Sequence, residues 1–269
     1  TSAQLLGTIK SLLGLKHRVL YYGPMSEQQM LSVFNENHNV PEVLAEVDEK
    51  VVYPAQQTPE NKVIVAQYDA KQIYYLQYSN RGEKYDAQTD AVRALYNSYF
   101  GGGMNAIVFQ EMREARGLAY SAWAVMSAPS KKDRTYNYRA FIATQNDKMP
   151  TAIKAFDEII NDMPQSEAAF DIAKESVLAG IRTQRITKAS VLHSYLAAED
   201  LGIDFDRRKR IYEAIPSLTL DDVQAFQRQW VKDRKYTYCI LGDTKDLDMD
   251  FLRTLGPVET VDQKTIFGY

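Results

Sequence analysis

Between Lys62 and Thr144 the chain carries four β-rich runs, and from Thr151 to Ile215 it carries only helical ones before a last β-rich run at Tyr236–Leu241. Strands gathered ahead of a block of helices do not spell a repeating strand–helix–strand unit, so this order predicts an α+β domain. The first two runs, Lys62–Gln67 and Gln72–Tyr78, are rich in β-branched and aromatic residues. Leu118–Met126 and Tyr136–Thr144 flank the polar stretch Ser130-Lys-Lys-Asp-Arg and read as an antiparallel pair. Helices are expected at Asp86–Phe100 and at Asn105–Arg116, the second closed by Gly117. Four more follow, at Thr151–Asp162, Ala168–Arg185, Val191–Leu201 and Arg207–Ile215.

The two ends of the chain share a pattern. Ser2–Leu13 has helical spacing, His17–Tyr22 is β-rich, Gly23 turns, and a helix capped by Ser26 with Gln29 follows. Near the C-terminus a helix capped at Thr219, the strand Tyr236–Leu241, Gly242 and Leu247–Leu255 repeat that order, 219 residues later. A repeat so long predicts duplicated domains rather than a solenoid. Residues 1–37 are therefore expected to be the tail of a preceding homologous domain. Residues 38–60, with Pro41, Pro54 and Pro59 among polar residues, read as a linker, and residues 61–269 as one complete domain. Together with a start at Thr-Ser-Ala, this reads as a fragment or processed piece.

Lys and Arg total 32 against 35 Asp and Glu, and a net charge of −3 gives no electrostatic footprint for nucleic acid. No apolar run approaches the roughly 20 residues that span a bilayer, and no targeting segment is visible, which leaves the compartment open. The single Cys239 lies in an apolar run and is expected in the core. The three histidines, His17, His38 and His193, show no ligand spacing, and Gly-x-Ser-x-Gly is absent, so the chain alone is expected to carry neither a catalytic metal nor a nucleophilic triad. Gly101-Gly102-Gly103 follows a helix and lacks a Gly-Lys-Ser/Thr ending; close packing between helices is the expectation there, not phosphate binding.

The sharpest constellation runs Tyr99-Phe-Gly-Gly-Gly-Met-Asn-Ala-Ile-Val-Phe-Gln-Glu-Met-Arg-Glu-Ala-Arg-Gly-Leu-Ala-Tyr-Ser-Ala. It resembles the pitrilysin/insulinase family of zinc peptidases, which includes the mitochondrial processing peptidases. A glycine-containing break, a helix ending in Leu-Arg-x-x-x-Gly-Leu-Ala-Tyr-like residues and then a strand form a recognisable block of that family; the leucine here is Met112. Thr219–Asp243 resembles the closing helix, strand and Gly-Asp turn, and Leu15–Phe34 the same element of the previous domain.

The resemblance implies an antiparallel sheet packed with helices. In that family one half bears His-x-x-Glu-His and a second half has lost it. Around Asp86–Phe100, where the motif would fall, the sequence has neither histidine nor glutamate, which implies the non-catalytic half, with zinc in a partner half. In such halves an arginine near the helix end and a tyrosine seven residues later reach into the cleft; Arg113 and Tyr120 have that spacing. A guanidinium can hold substrate carbonyls, and a phenol can donate to the carbonyl oxygen that gains charge during hydrolytic attack. The alternative is a surface arginine beside Glu114 and one strand tyrosine among eighteen. Spacing and context favour the cleft role, whereas Arg116 reads as a solvated charge near the helix C-terminus. The implied function is the peptide-binding half of a zinc endopeptidase, joined to or assembled with the zinc-bearing half. The alternative function is a catalytically inactive structural or assembly subunit.

Overall fold

Alternation in the β-rich runs builds a six-stranded sheet in the computed structural model, which describes residues 1–48, 51–69 and 71–269. By internal contact the chain divides into two units, Thr1–Pro54 with Ile186–Leu196, and Ala55–Arg185 with Ala197–Tyr269. The sheet belongs to the larger unit. Its strands are β1 (Lys62–Gln67), β2 (Gln72–Ser79), β3 (Ser121–Ser127), β4 (Asn137–Gln145), β5 (Thr237–Gly242) and β6 (Val258–Val261), in the order β3-β4-β2-β5-β1-β6. Pairing is antiparallel from β3 through β4 and β2 to β5, and parallel from β5 through β1 to β6. The α+β class holds, and the expected β3–β4 hairpin is present in register from Ser121↔Ala143 to Ser127↔Asn137.

Side chains alternate across a strand, and here the alternation divides the sheet into a covered and an open face. Val63, Val65, Ile73, Tyr75, Ala122, Ala124, Met126, Tyr138, Ala140, Ile142, Tyr238 and Ile240 are buried on the covered face. Against it lie α3 (Asp90–Tyr96), α5 (Met149–Asn161), α6 (Glu167–Thr183) and α9 (Leu220–Phe226), whose apolar stripes join one core. Tyr96 packs on Phe226 at 5.1 Å, and Trp230, one turn on, meets Tyr136 at 5.1 Å. The open face carries a shorter aromatic row in which Trp123 stacks on Phe141 at 5.6 Å and Phe141 on Tyr74 at 6.0 Å. Cys239 shares this open face through its pairing with Leu76 and Ile64 and is half-buried, not enclosed in the core.

The triple glycine has a different role from the expected helix–helix contact. After α3 the helix widens into a π-turn, Asn97–Gly101, whose end lies against the outer edge of β3. A Cβ on Gly101 would stand 2.0 Å from the Ala124 carbonyl oxygen. The Asn97 side chain donates to the Met126 carbonyl at 3.0 Å and accepts from the Met126 N–H at 2.9 Å. Together these contacts occupy backbone groups on an edge strand that would otherwise pair with another chain.

In the smaller unit, α1 (Ser2–Leu12) and α2 (Glu27–Asn37) have capping boxes at Thr1/Gln4 and Ser26/Gln29. Neither helix buries a residue; Leu5, Ile9 and Leu12 are more than half exposed. The strand expected at His17–Tyr22 does not form. A strand requires a neighbour for its backbone groups, and the only bridge near it among the described residues is Leu15↔Ala45. α7 (Ala189–Leu201) contains residues of both units, and α8 (Arg207–Ala214), α10 (Met249–Leu255) and α11 (Gln263–Phe267) belong to the larger one. Residues 49 and 50, within the expected linker, lie outside the described residues.

Candidate functional site

The helix expected at Asn105–Arg116 starts as α4 (Ile107–Phe109) and continues as a π-helical turn, Gln110–Ala115. Met112 anchors it, fully buried, and its carbonyl accepts both the Leu118 N–H at 2.9 Å and the Ala119 N–H at 3.2 Å. That double acceptance needs a sharp reversal, which Gly117 supplies at φ +57°, a conformation costly for any residue with a Cβ. The Tyr120 N–H then donates to the Ala143 carbonyl at 2.9 Å and starts β3. Thr144 Oγ1 donates to the Leu118 carbonyl at 2.6 Å and ties the returning chain to β4.

Arg113 leaves the helix on the side away from the Met112 anchor. Its guanidinium lies 5.4 Å from the Tyr120 ring centroid and 5.0 Å from that of Phe109. The structure thus brings the two residues singled out by spacing into direct cation–π contact. Tyr120 is 71% exposed, and neither its hydroxyl nor the Arg113 guanidinium makes a hydrogen bond among the described residues. The one ionic neighbour of Arg113, Glu114, stands 3.6 Å away with both side chains about half exposed, a contact worth little in water. Both groups therefore hold donors ready for a ligand.

Beside them is an open cavity of about 290 Å³, walled by Arg113 and Tyr120 from one side and by Gln72, Gln145 and Lys148 from the other. Gln72 and Gln145 are cross-strand partners at the end of β2 and β4. They lie on the face that carries Tyr74 and Phe141, so the cavity continues the open face of the sheet. No signal in the sequence reading singled out Gln72, Gln145 or Lys148. They come from a sheet edge and the chain entering α5, and only the register of β2 with β4 draws them together.

Arg116 is not a free solvated charge: it pairs with Glu158 at 2.9 Å and Glu111 at 3.4 Å. The Glu158 hydrogen bond holds its guanidinium above the usual range. On α3, the helix where a metal motif was sought, Asp90 is 3% exposed and receives Arg207 through two nitrogens, the Tyr85 hydroxyl at 2.6 Å and Arg93 at 3.3 Å. Burial works to raise the Asp90 carboxyl; the Arg207 and Tyr85 hydrogen bonds outweigh it and hold the group below the usual carboxylate range. Both Asp90 carboxylate oxygens are thus engaged within the protein. Burial pushes the Asp157 carboxyl up to about 6, against a 2.7 Å hydrogen bond from Gln77.

His17 and His38 are brought together with 2.7 Å between their Nε2 atoms, a contact that their separation in sequence gave no reason to expect. Among the described residues no group of three or more His, Cys, Asp or Glu side chains is placed to hold a metal. No helix of the described residues is long and apolar enough to cross a membrane.

The profile of the peptidase M16 inactive domain matches residues 17–177, more than half of the chain. A search of curated proteins gives no match. Solved structures with a similar fold include the peptidase M16 inactive domain from Pseudomonas fluorescens, at TM-score 0.61 and 17% identity over 81% of this chain and 51% of that one. A protease from Helicobacter pylori aligns at TM-score 0.58 and 18% identity, with 81% and 53% covered. The periplasmic protease PqqL from Escherichia coli aligns at TM-score 0.61 and 10% identity, with 82% of this chain but 25% of that protein covered. The chain spans about half the length of the first solved structures it matches.

Proposed function

The chain belongs to the M16 peptidase family as an inactive domain, and from that premise we propose that it is the substrate-binding, non-catalytic half of a zinc metalloendopeptidase. The observation that carries this reading is the convergence of Arg113 and Tyr120, with unengaged donors, on one wall of an open cavity. Among the described residues no group of three or more His, Cys, Asp or Glu is placed to hold a metal, so zinc would be held, and the attacking water activated, by the partner half. Here Arg113 N–H groups bind carbonyls of an extended peptide, and stacking between Phe109 and Tyr120 holds the guanidinium in place. The Tyr120 O–H donates to the scissile carbonyl oxygen as it gains charge.

We also assign residues 1–37 to the preceding homologous half and residues 38–60 to the connection, with residues 61–269 as the non-catalytic domain. Two features support this. The order α1, extended segment, Gly23, α2 repeats the order α9, β5, Gly242, α10, and the smaller unit leaves Leu5, Ile9 and Leu12 without cover of its own.

The test is kinetic, on the chain assembled with a zinc-bearing half. Tyr120→Phe is expected to lower kcat by about 100-fold or more with little change in KM, the effect of removing one donor that acts mainly in the transition state. Arg113→Ala is expected to raise KM as well. Both variants should melt as the parent does, because Tyr120 is largely exposed and Arg113 about half exposed. Parental kinetics in both variants would leave only a structural or assembly role.

A further inference from the structure

We propose that the cavity beside Arg113 and Tyr120 selects a peptide carboxylate, held between the Lys148 ammonium and the Arg113 guanidinium. This rests on the substrate-binding reading and names the substrate class for that same site.

Charge is the first ground. Two of the side chains walling the cavity are cationic and none is acidic, in a chain whose net charge is −3. The concentration of positive charge is therefore a local feature of this end of the sheet. Availability is the second. Lys148 Nζ makes a single long hydrogen bond, 3.4 Å to the Gly117 carbonyl, which leaves two of its three donors unused. Among the described residues the only ion pair of Arg113 is with the solvent-screened Glu114 at 3.6 Å, a partner that a better-placed carboxylate can replace. Thr144 is committed to the Leu118 carbonyl, so the neutral side-chain donors left on the walls are the Tyr120 hydroxyl and the amides of Gln72 and Gln145.

Size is the third. At about 290 Å³ the cavity lies at the bottom of the range for small-molecule sites, room for a side chain or a chain end. A neutral peptide carbonyl needs one donor and cancels no charge. A carboxylate accepts from both cations at once and is the better occupant of a site walled by two positive groups and no acidic one. The carboxylate has two possible sources, an Asp or Glu side chain or the peptide's own C-terminus.

The experiment titrates the full chain, labelled with nitrogen-15, with three short alanine peptides and follows the Gly117 and Tyr120 amides. One peptide has a central Asp and blocked ends, the second has Asn in its place, and the third is all-alanine with a free C-terminus. The Asp peptide is expected to bind about three- to tenfold more tightly than the Asn peptide at low salt, with most of that advantage lost at about 0.5 M salt. In Lys148→Gln the preference should fall below about twofold, and Lys148→Arg should restore it. A preference shown by the free C-terminus instead supports the proposal with the chain end as source. Equal affinities for all three peptides, each shifting the Gly117 and Tyr120 amides, would overturn carboxylate selection while peptide binding stands. A preference that survives Lys148→Gln would also overturn it. No response to any peptide would remove the substrate-binding reading as well.

Discussion

Asp157→Asn is expected to stabilise the protein at neutral pH. Asp157 projects from α5 toward the covered face of the sheet, where Gln77, fully buried on β2, donates to its Oδ1 at 2.7 Å. Burial raises the carboxyl to about 6 from an ordinary 3.8. The folded state therefore holds this proton more tightly than the unfolded chain. Its contribution to stability is fully present below about pH 4 and is lost as pH rises through 6, which amounts to about 3 kcal/mol at most. Asparagine keeps the shape and removes the charge. It also offers an N–H to Gln77 Oε1, which is buried without a partner, so the two amides can bond reciprocally. At pH 7.5 the variant should exceed the parent by up to about 3 kcal/mol, or up to about 10 °C in Tm, and at pH 4 the two should agree within about 1 kcal/mol. Urea unfolding at several pH values between these limits measures the difference, in which carboxylates common to both proteins cancel. A variant less stable at pH 7.5, or a difference that does not change with pH, would refute the reasoning.

Gly101→Ala should destabilise by about 3 kcal/mol or more, because its Cβ would lie 2.0 Å from strand backbone at Ala124, while Gly103→Ala, with open space around it, should stay within about 0.5 kcal/mol; paired thermal melts separate the two. Asp90→Ala should cost about 3–5 kcal/mol, since it leaves Arg207 and the largely buried Arg93 without their shared carboxylate, and denaturant unfolding would show it as a lower midpoint.

Legibility in the sequence followed the range of the interactions involved. β1 is readable to its ends at Lys62–Gln67 because its largely β-branched apolar run, Val63–Ala66, is bounded within the strand by the polar Lys62 and Gln67. α9 and α2 announce themselves by capping boxes that span three residues. β6 escaped because Val258–Val261 has four residues, too few for alternation to show, and its existence depends on the flank of β1. The opposite error at His17–Tyr22 has the same origin: the residues favour a strand, but a strand is a property of a pair. The Gly101–Gly103 run marks a point of close approach, yet whether a helix or a strand edge approaches it is settled by the turn of α3 relative to β3, which no local pattern encodes.

The candidate site divides along the same line. Arg113 and Tyr120 converge because Met112, one residue before Arg113, takes both N–H groups of Leu118 and Ala119 on its carbonyl; the reversal is closed within eight residues and any sequence that forms it carries the spacing on its face. The opposite wall has no such local cause. Gln72 faces Gln145 only because β2 and β4 pair in that register, and a slip of one residue would turn the shifted strand's glutamine to the covered face, away from the cavity. Lys148 follows Gln145 by three residues through a short helical turn that leads into α5, so the same register places it. The wall to which peptide-backbone binding is assigned under the proposed function is thus fixed by a short-range turn, and the wall proposed to select a carboxylate by long-range pairing.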